Sequence, residues 1–527
     1  MSFERTVTSR GKKYRQIVES RWDKEKKQSR IHVIRHLGRV VETEGNEKVI
    51  APESRFESID MAYPAGKIAL FWRIAESFHV KECISDSIGE EKAMAILILA
   101  MNQLTGRKAL TKISEWFRQS PLHRWISLEP EKLTKDYFLS ALDAVSIRNN
   151  GEEESYSTSI QHSLSAAWKD MIGHDHPRYF FYPDITRIRW NGHENEIAEK
   201  GYGAQTGRPH IGFGLLVSRD HYMPLSGYPV SGSSPDKVTV RETVDNLSSW
   251  NLKKITLVWD RGFVSRVNID YALKQKYHVL SGGPHTSSDV IAWISKYEDF
   301  MIEKRENIIE MPGEHGIYFK DEIGTLFGHT CRIVIIIDPE KRDRTRTERD
   351  LAIQRLESAT SRKIISEMKA SLSPIVMPAK GRRGYEIDSS EETRARKLDG
   401  RSLLFCTDIS MSGKDIVKTY FQKDRVEKAF RHLKGDASLS PVRYQLPGRV
   451  EAYLSVVNFI AYEIMAAVMW KIESSNMGIS YEYLVDKLSG ISEVVLVRKG
   501  KRIYRWTTVS QEMQKLLKPF DVLSLQT

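Results

Sequence analysis

Between residues 177 and 283 the sequence reads as three strands, a helix, a strand, a helix and a strand, an order that few folds accommodate. RYFFYPDITRIRW reads as a strand ending near Asp184, and HIGFGLLVSRD and HYMPLSGYPVSG read as two more, joined by a tight turn at Arg219 and Asp220. Ser233 or Ser234 before Pro235 is the start signal of a helix, SPDKVTVRETVDNLSSW. KKITLVWDRGF then gives a strand ending at Asp260, followed by a helix from about Ser265 to Lys276 and the strand YHVLSGG. Three strands that pair as a meander, then a crossover to a parallel strand, bring strand ends together so that distant positions share one site.

This is the ribonuclease H-like order. The expected fold class is therefore α/β, with a ribonuclease H-like catalytic core built on a mixed sheet flanked by helices. A second pattern lies far downstream, in YFQKDRVEKAFRHLK. On a helix, Tyr420, Glu427 and Lys434 share one stripe, each trailing the last by about 20°. Val426, Phe430 and Leu433 form an apolar seam to one side. Taken alone, the segment is an ordinary amphipathic surface helix. Joined to Asp184 and Asp260, its glutamate completes three carboxylates, the oxygen donors that hard divalent cations require. Each of the three taken singly is a surface acid, since Asp and Glu are mostly exposed.

Composition sets looser bounds. The 527 residues carry 80 Lys and Arg against 69 Asp and Glu, a net charge of +11 that suits a polyanionic partner and equally serves solubility. Cys83, Cys331 and Cys406 are far apart, which excludes a cysteine metal site and points to a reducing compartment. The charged segment MSFERTVTSRGKKYRQ contains no apolar signal run. YLSVVNFIAYEIMAAVMW, residues 453–470, is long enough to mimic a membrane span, but Asn458 and Glu463 in its middle favour a buried core helix. A soluble, cytoplasmic protein is expected.

Along the chain, residues 1–60 read as a basic hairpin region and 61–172 as mainly helical, either a DNA-binding module or a helical scaffold. Residues 173–283 and 401–475 form the catalytic domain, split by a large insertion over 284–400 between the second and third acids, and 476–527 form a C-terminal region. Within the insertion, EKRDRTRTERDLAIQRLESATSRK reads as a charged helix whose mixed signs favour a solvated face.

These motifs resemble the DDE transposases of prokaryotic insertion sequences, in the group whose third acid lies in a Tyr-x2-Arg-x3-Glu-x6-Lys signature. Tyr420, Glu427 and Lys434 match its spacing, with Lys423 in place of the signature Arg, which loses the planar bidentate fork. YPDITRIRW resembles the segment around the first acid and LVWDRGF the second-acid motif. Further likeness runs through GRPHIGFGLLVSRDHYMPLSGYPVSGSSPD, LDGRSLLFCTDIS and PGRVEAYLSVVNFIAYEI, covering about residues 177–470.

The resemblance implies that Asp184, Asp260 and Glu427 bind two Mg2+ or Mn2+ ions. Water then attacks the transposon end, and the freed 3′-hydroxyl attacks target DNA. It assigns Tyr420, Lys423 and Lys434 to the DNA backbone, double-stranded DNA with terminal inverted repeats as partner, and a homodimer on paired ends acting at the nucleoid. Trp293 in the insertion becomes a base-stacking candidate, against the plainer reading of a core tryptophan. His174, Asp175 and His176 lack further ligands and read as a polar loop, and the Asp184 to Thr186 segment lacks the second Asp of aspartyl-phosphate enzymes. Two other functions stand beside the transposase: a metal-dependent nuclease that never joins DNA, and a repurposed DNA-binding protein without catalysis.

Overall fold

ITLVW carries apolar residues on both strand faces, Ile255, Leu257 and Trp259 on one and Val258 on the other, and all five of its residues are buried, as a central strand covered on both sides requires. In the computed structural model this segment sits inside a nine-stranded mixed sheet. The structure describes residues 2–23, 28–43, 46–50, 58–149, 152–172, 179–192, 195–200, 207–219, 221–234, 236–248, 250, 254–310, 316–358, 362–378, 385–423, 431, 441–498 and 500–526.

The sheet's strands, in chain order, are β1 (Tyr179–Arg189), β2 (His210–Ser218), β3 (Pro224–Ser231), β4 (Ile255–Trp259), β5 (His278–Gly282), β6 (Ile308–Ile309), β7 (Ile317–Leu326), β8 (His329–Ile337) and β9 (Arg401–Cys406). They lie in the order β3-β2-β1-β4-β5-β9-β8-β7-β6. The first three are antiparallel, β4 runs parallel to β1 and to β5, and β9 to β6 continue antiparallel. Helices α1 (Asp236–Ser248) and α2 (Arg266–Lys274) make the crossovers on either side of β4, and Ser265 caps α2 by accepting from the Asn268 amide. Residues 284–400 thus add β6, β7 and β8 to the same sheet, together with the charged helix Pro339–Ser358, which buries only Leu356.

One expectation needs correcting. The strand does not end near Asp184: β1 continues five residues further, to Arg189. Its second half pairs with β2, Ile185 opposite Gly214 and Arg189 opposite His210, so hydrogen bonds sustain it beyond the last pair it makes with β4.

The apolar stretch that could pass for a membrane span lies within the helix Pro447–Ser474, of which the most apolar window is 94% buried in protein. Tyr453–Asn458 forms a π-turn within it. That widening frees backbone carbonyls. The Gln161 amide donates to Ser455 O at 2.7 Å and to Gly227 O at 2.6 Å, tying the helix to β3. Helices Glu90–Leu104 and Ser157–Ile172 pack against the same helix, and Ser157–Ile172 also packs against β3. These elements belong to a unit of residues 71–114 and 129–481.

The other unit gathers residues 1–70, 115–128 and 482–527. It contains a four-stranded antiparallel sheet (Ser2–Ser9, Lys12–Asp23, Gln28–Thr43, Asn46–Ile50) and a three-stranded one in which Ser58–Pro64 and Lys501–Trp506 flank Ser492–Arg498. Glu493, fully buried, accepts from Tyr63 Oη at 2.6 Å, Trp506 Nε1 at 3.1 Å and the Arg124 guanidinium. A buried carboxylate persists because each of its oxygens has charged or hydrogen-bonded partners.

Candidate active site

Strand register builds the site. Ile255 pairs with Tyr179 and Leu257 with Phe181, and carrying the same offset forward sets Asp260 level with Asp184 on the neighbouring parallel strand. Trp259 pairs with Ser281 in β5, which sets Gly282 level with both. Adjacent strands lie about 4.8 Å apart, and each acid-bearing position comes three residues after the last pair of the two strands, Leu257 with Phe181. On its other side Asp184 pairs with Leu215 of β2.

Asp260 is extended backbone (φ −76°, ψ 158°) immediately beyond β4 and caps the short turn Arg261–Phe263. Its Oδ1 accepts from the Arg261 amide at 2.8 Å and lies 3.3 Å from Lys423 Nζ. The Asp260 side chain is 55% exposed and that of Lys423 only 13%, so the carboxylate keeps open coordination space beside a cation held in place.

Lys423 and Tyr420 arrive on helix α3 (Gly413–Phe421) and the turn after it. Ser412 caps this helix by accepting from the Asp415 amide, and Ile416, Val417 and Thr419 are buried beneath it. Gly413 approaches Asp321 of β7 so closely that a Cβ there would fall 2.7 Å from its side chain. At the far end of α3, Arg219 of the β2–β3 connection donates to Thr419 Oγ1 at 3.2 Å. Tyr420 is held over the strand ends: burial pushes its hydroxyl pKa up, against the cations of Lys423 and Arg261, and the Arg261 guanidinium donates to its oxygen. A Cβ at position 282 would come within 2.8 Å of both Tyr420 Oη and Arg261 Nε, so the glycine leaves the space they occupy.

Of the residues read from the sequence, the structure brings Asp260, Tyr420 and Lys423 together and sets Asp184 at their level by register. Glu427 and Lys434 lie outside the described residues, as do Val426, Phe430 and Leu433 of the apolar seam and the segment His174 to His176. Arg261 and Gly282 are additions. A basic residue directly after a strand-end acid and a Gly-Gly pair closing a strand were the signals in DRG and SGG. Trp293 donates from Nε1 to Thr325 O at 3.2 Å, packs its ring on Gly324, and has Lys296 Nζ 4.3 Å from its centroid.

For a divalent cation the donor chemistry fits. Asp260 offers an exposed carboxylate and the level position on β1 carries a second acid, both hard oxygen donors. Among the described residues no group of three His, Cys, Asp or Glu side chains is gathered for a metal. The three cysteines are buried and form no disulfide, and burial pushes the thiols of Cys83 and Cys331 up to about 12, which makes them poor ligands.

No protein-family model matches the chain, and no curated protein matches it. Among solved structures it is similar to a piggyBac transposase synaptic complex with hairpin DNA, determined by cryo-EM. The identity is 10%, the match covers 82% of each chain, and the TM-score is 0.41, a degree of likeness that carries no functional argument.

Proposed function

We propose that this chain is a DNA transposase of the prokaryotic insertion-sequence type, acting through a ribonuclease H-like core in which Asp184, Asp260 and Glu427 hold two Mg2+ or Mn2+ ions. One observation supports this above the rest: two acids 76 residues apart each follow by three residues the last paired position, Leu257 with Phe181, of adjacent parallel strands, with Lys423 and Arg261 gathered at the second. The strand order β3-β2-β1-β4-β5, three antiparallel strands followed by two parallel ones, agrees with such a core. When bound, the ions supply Lewis acidity at the scissile phosphate and lower the pKa of an attacking water or hydroxyl.

The chain's own residues do the rest. Asp260 presents its carboxylate from the head of the short turn that it caps. Lys423 and Arg261 place two cations beside the oxygens on which charge gathers in the transition state. Tyr420, kept protonated by burial, is a neutral donor beside them, and Lys434, seven residues beyond Glu427, adds a further cation for the backbone. The same reading makes double-stranded DNA the partner, with terminal inverted repeats as ends, a homodimer the acting form, and the nucleoid-bearing cytoplasm its place.

A pre-cut end incubated with supercoiled plasmid and Mg2+ tests this. The expected result is covalent joining of the 3′-hydroxyl to plasmid strands. Cutting of uncut ends without joining would leave a nuclease, and neither reaction under any divalent ion would leave a DNA-binding protein without catalysis.

A further inference from the structure

A second charged feature lies in the same unit, along β1 from Asp184. The segments 107–111, 135–139 and 441–449 enclose a cleft of about 700 Å³. Its lining contributes five cations, Arg107, Lys108, Lys135, Arg443 and Arg449, and no carboxylate. Two of the five are braced. Arg449 makes a bidentate pair with Asp143, Nε to Oδ1 at 2.6 Å and the second nitrogen to Oδ2 at 2.8 Å. Arg107 donates to Pro441 O at 2.9 Å and lies over the Tyr453 ring, 5.0 Å from its centroid. Lys108, Lys135 and Arg443 are exposed.

The wall of this cleft is fixed to the strand that carries Asp184. Val442 donates to Arg189 O and Asn191 to Val442 O, both at 2.9 Å, and Trp190 Nε1 donates to Tyr444 O at 2.9 Å. Tyr444 itself packs against Tyr453 with ring centroids 4.9 Å apart and planes tilted by 49°. From Asp184 to Arg189 the strand advances about 16 Å. A duplex strand carries one phosphate per 3.4 Å of axis, so this is about five base-pair steps.

Asp143 answers Arg449, but the four other cations crowd one cleft whose lining holds no carboxylate, and guanidinium and ammonium groups are the usual phosphate donors. We propose that this cleft binds phosphodiester groups of a DNA strand about five steps from the position that faces Asp184 and Asp260. The proposal rests on the reading of the chain as a DNA-processing enzyme. It adds a backbone anchor built from three segments that the acidic site does not use.

Lys108→Gln, Lys135→Gln and Arg443→Gln combined in the full chain test it. Affinity for a fluorescein-labelled duplex of about 30 base pairs and arbitrary sequence is read by anisotropy across a salt series, with ATP as competitor and end cleavage measured in parallel. A control triple, Lys341→Gln, Arg344→Gln and Arg355→Gln, removes the same charge from the exposed face of the Pro339–Ser358 helix. The cleft triple is expected to bind about 10- to 100-fold more weakly and to flatten the slope of log affinity against log salt by about 2 to 3, while the control binds like wild type. Wild-type affinity and slope in the cleft triple would overturn the proposal, and so would an equal loss in the control. Loss of ATP binding with unchanged duplex affinity would assign the cleft to a mononucleotide and overturn it too. Wild-type protein that binds the duplex through the cleft but never cuts ends would instead contradict the transposase reading.

Discussion

Asp260→Asn is expected to lower Mg2+-dependent end cleavage by about 10³-fold or more, a loss of roughly 4 kcal/mol of transition-state stabilisation. The substitution is conservative for the fold. Asn still accepts from the Arg261 amide as a cap, and a 55% exposed side chain contributes little to stability. It removes the negative charge that a hard cation needs and that holds Lys423 in place. If Asp260 were only half of a surface ion pair, its loss would cost under about 1 kcal/mol and leave cleavage intact. Asp260→Cys separates ligation from charge, because a thiolate disfavours Mg2+ and tolerates softer ions. Cleavage by this variant is expected to vanish in Mg2+ and return in part with Mn2+. Equal cleavage by wild type and Asp260→Asn in Mg2+ would remove Asp260 from the metal site.

Glu463 leads to an expectation of a different kind. It lies 1% exposed in the helix Pro447–Ser474, its Oε2 has no hydrogen-bond partner, and burial pushes its pKa from 4.5 to about 8. The folded state therefore holds this proton where the unfolded chain has released it. The stabilisation is complete below about pH 4.5, falls as pH rises toward about 8, and changes no further above that. Each pH unit inside the window removes about 1.4 kcal/mol, so the whole effect is several kcal/mol. Glu463→Gln keeps the shape without the charge. The two proteins are expected to melt together near pH 4.5 and to separate by several degrees at pH 8, with the variant higher. Melting curves that stay parallel from pH 4.5 to 8.5 would show that Glu463 does not carry a buried proton.

Several features were legible because they are local. The run ITLVW followed by Asp260 announces a central strand and the acid at its end, and Ser265 and Ser412 are capping residues one position before their helices. The strand through Asp184 was legible, but its end was not. Periodicity reports which residues are buried, whereas the length of β1 depends on how far β2 runs beside it. Pairing over long separations leaves still less trace. Nothing in SEVVLVR names Ser58–Pro64 as its neighbour, and nothing in CRIVIIID states that it joins the nine-stranded sheet through RSLLFC. The role of Gly282 is likewise invisible, since it is defined by Tyr420 and Arg261 arriving from two other segments. The basic cleft collects cations from stretches more than 300 residues apart, each unremarkable in its own neighbourhood.

What matters most is whether Asp184, Asp260 and Glu427 meet around one metal. Replacing Mg2+ with Fe2+ and adding ascorbate and peroxide generates radicals at the bound ion that cut the backbone within a few ångströms of it. Mapped by mass spectrometry on the full chain with DNA ends bound, the cuts are expected next to residues 184, 260 and 427 together, and to disappear in Asp260→Asn. Cuts clustered elsewhere, or cuts at these positions that persist in Asp260→Asn, would contradict a shared metal site.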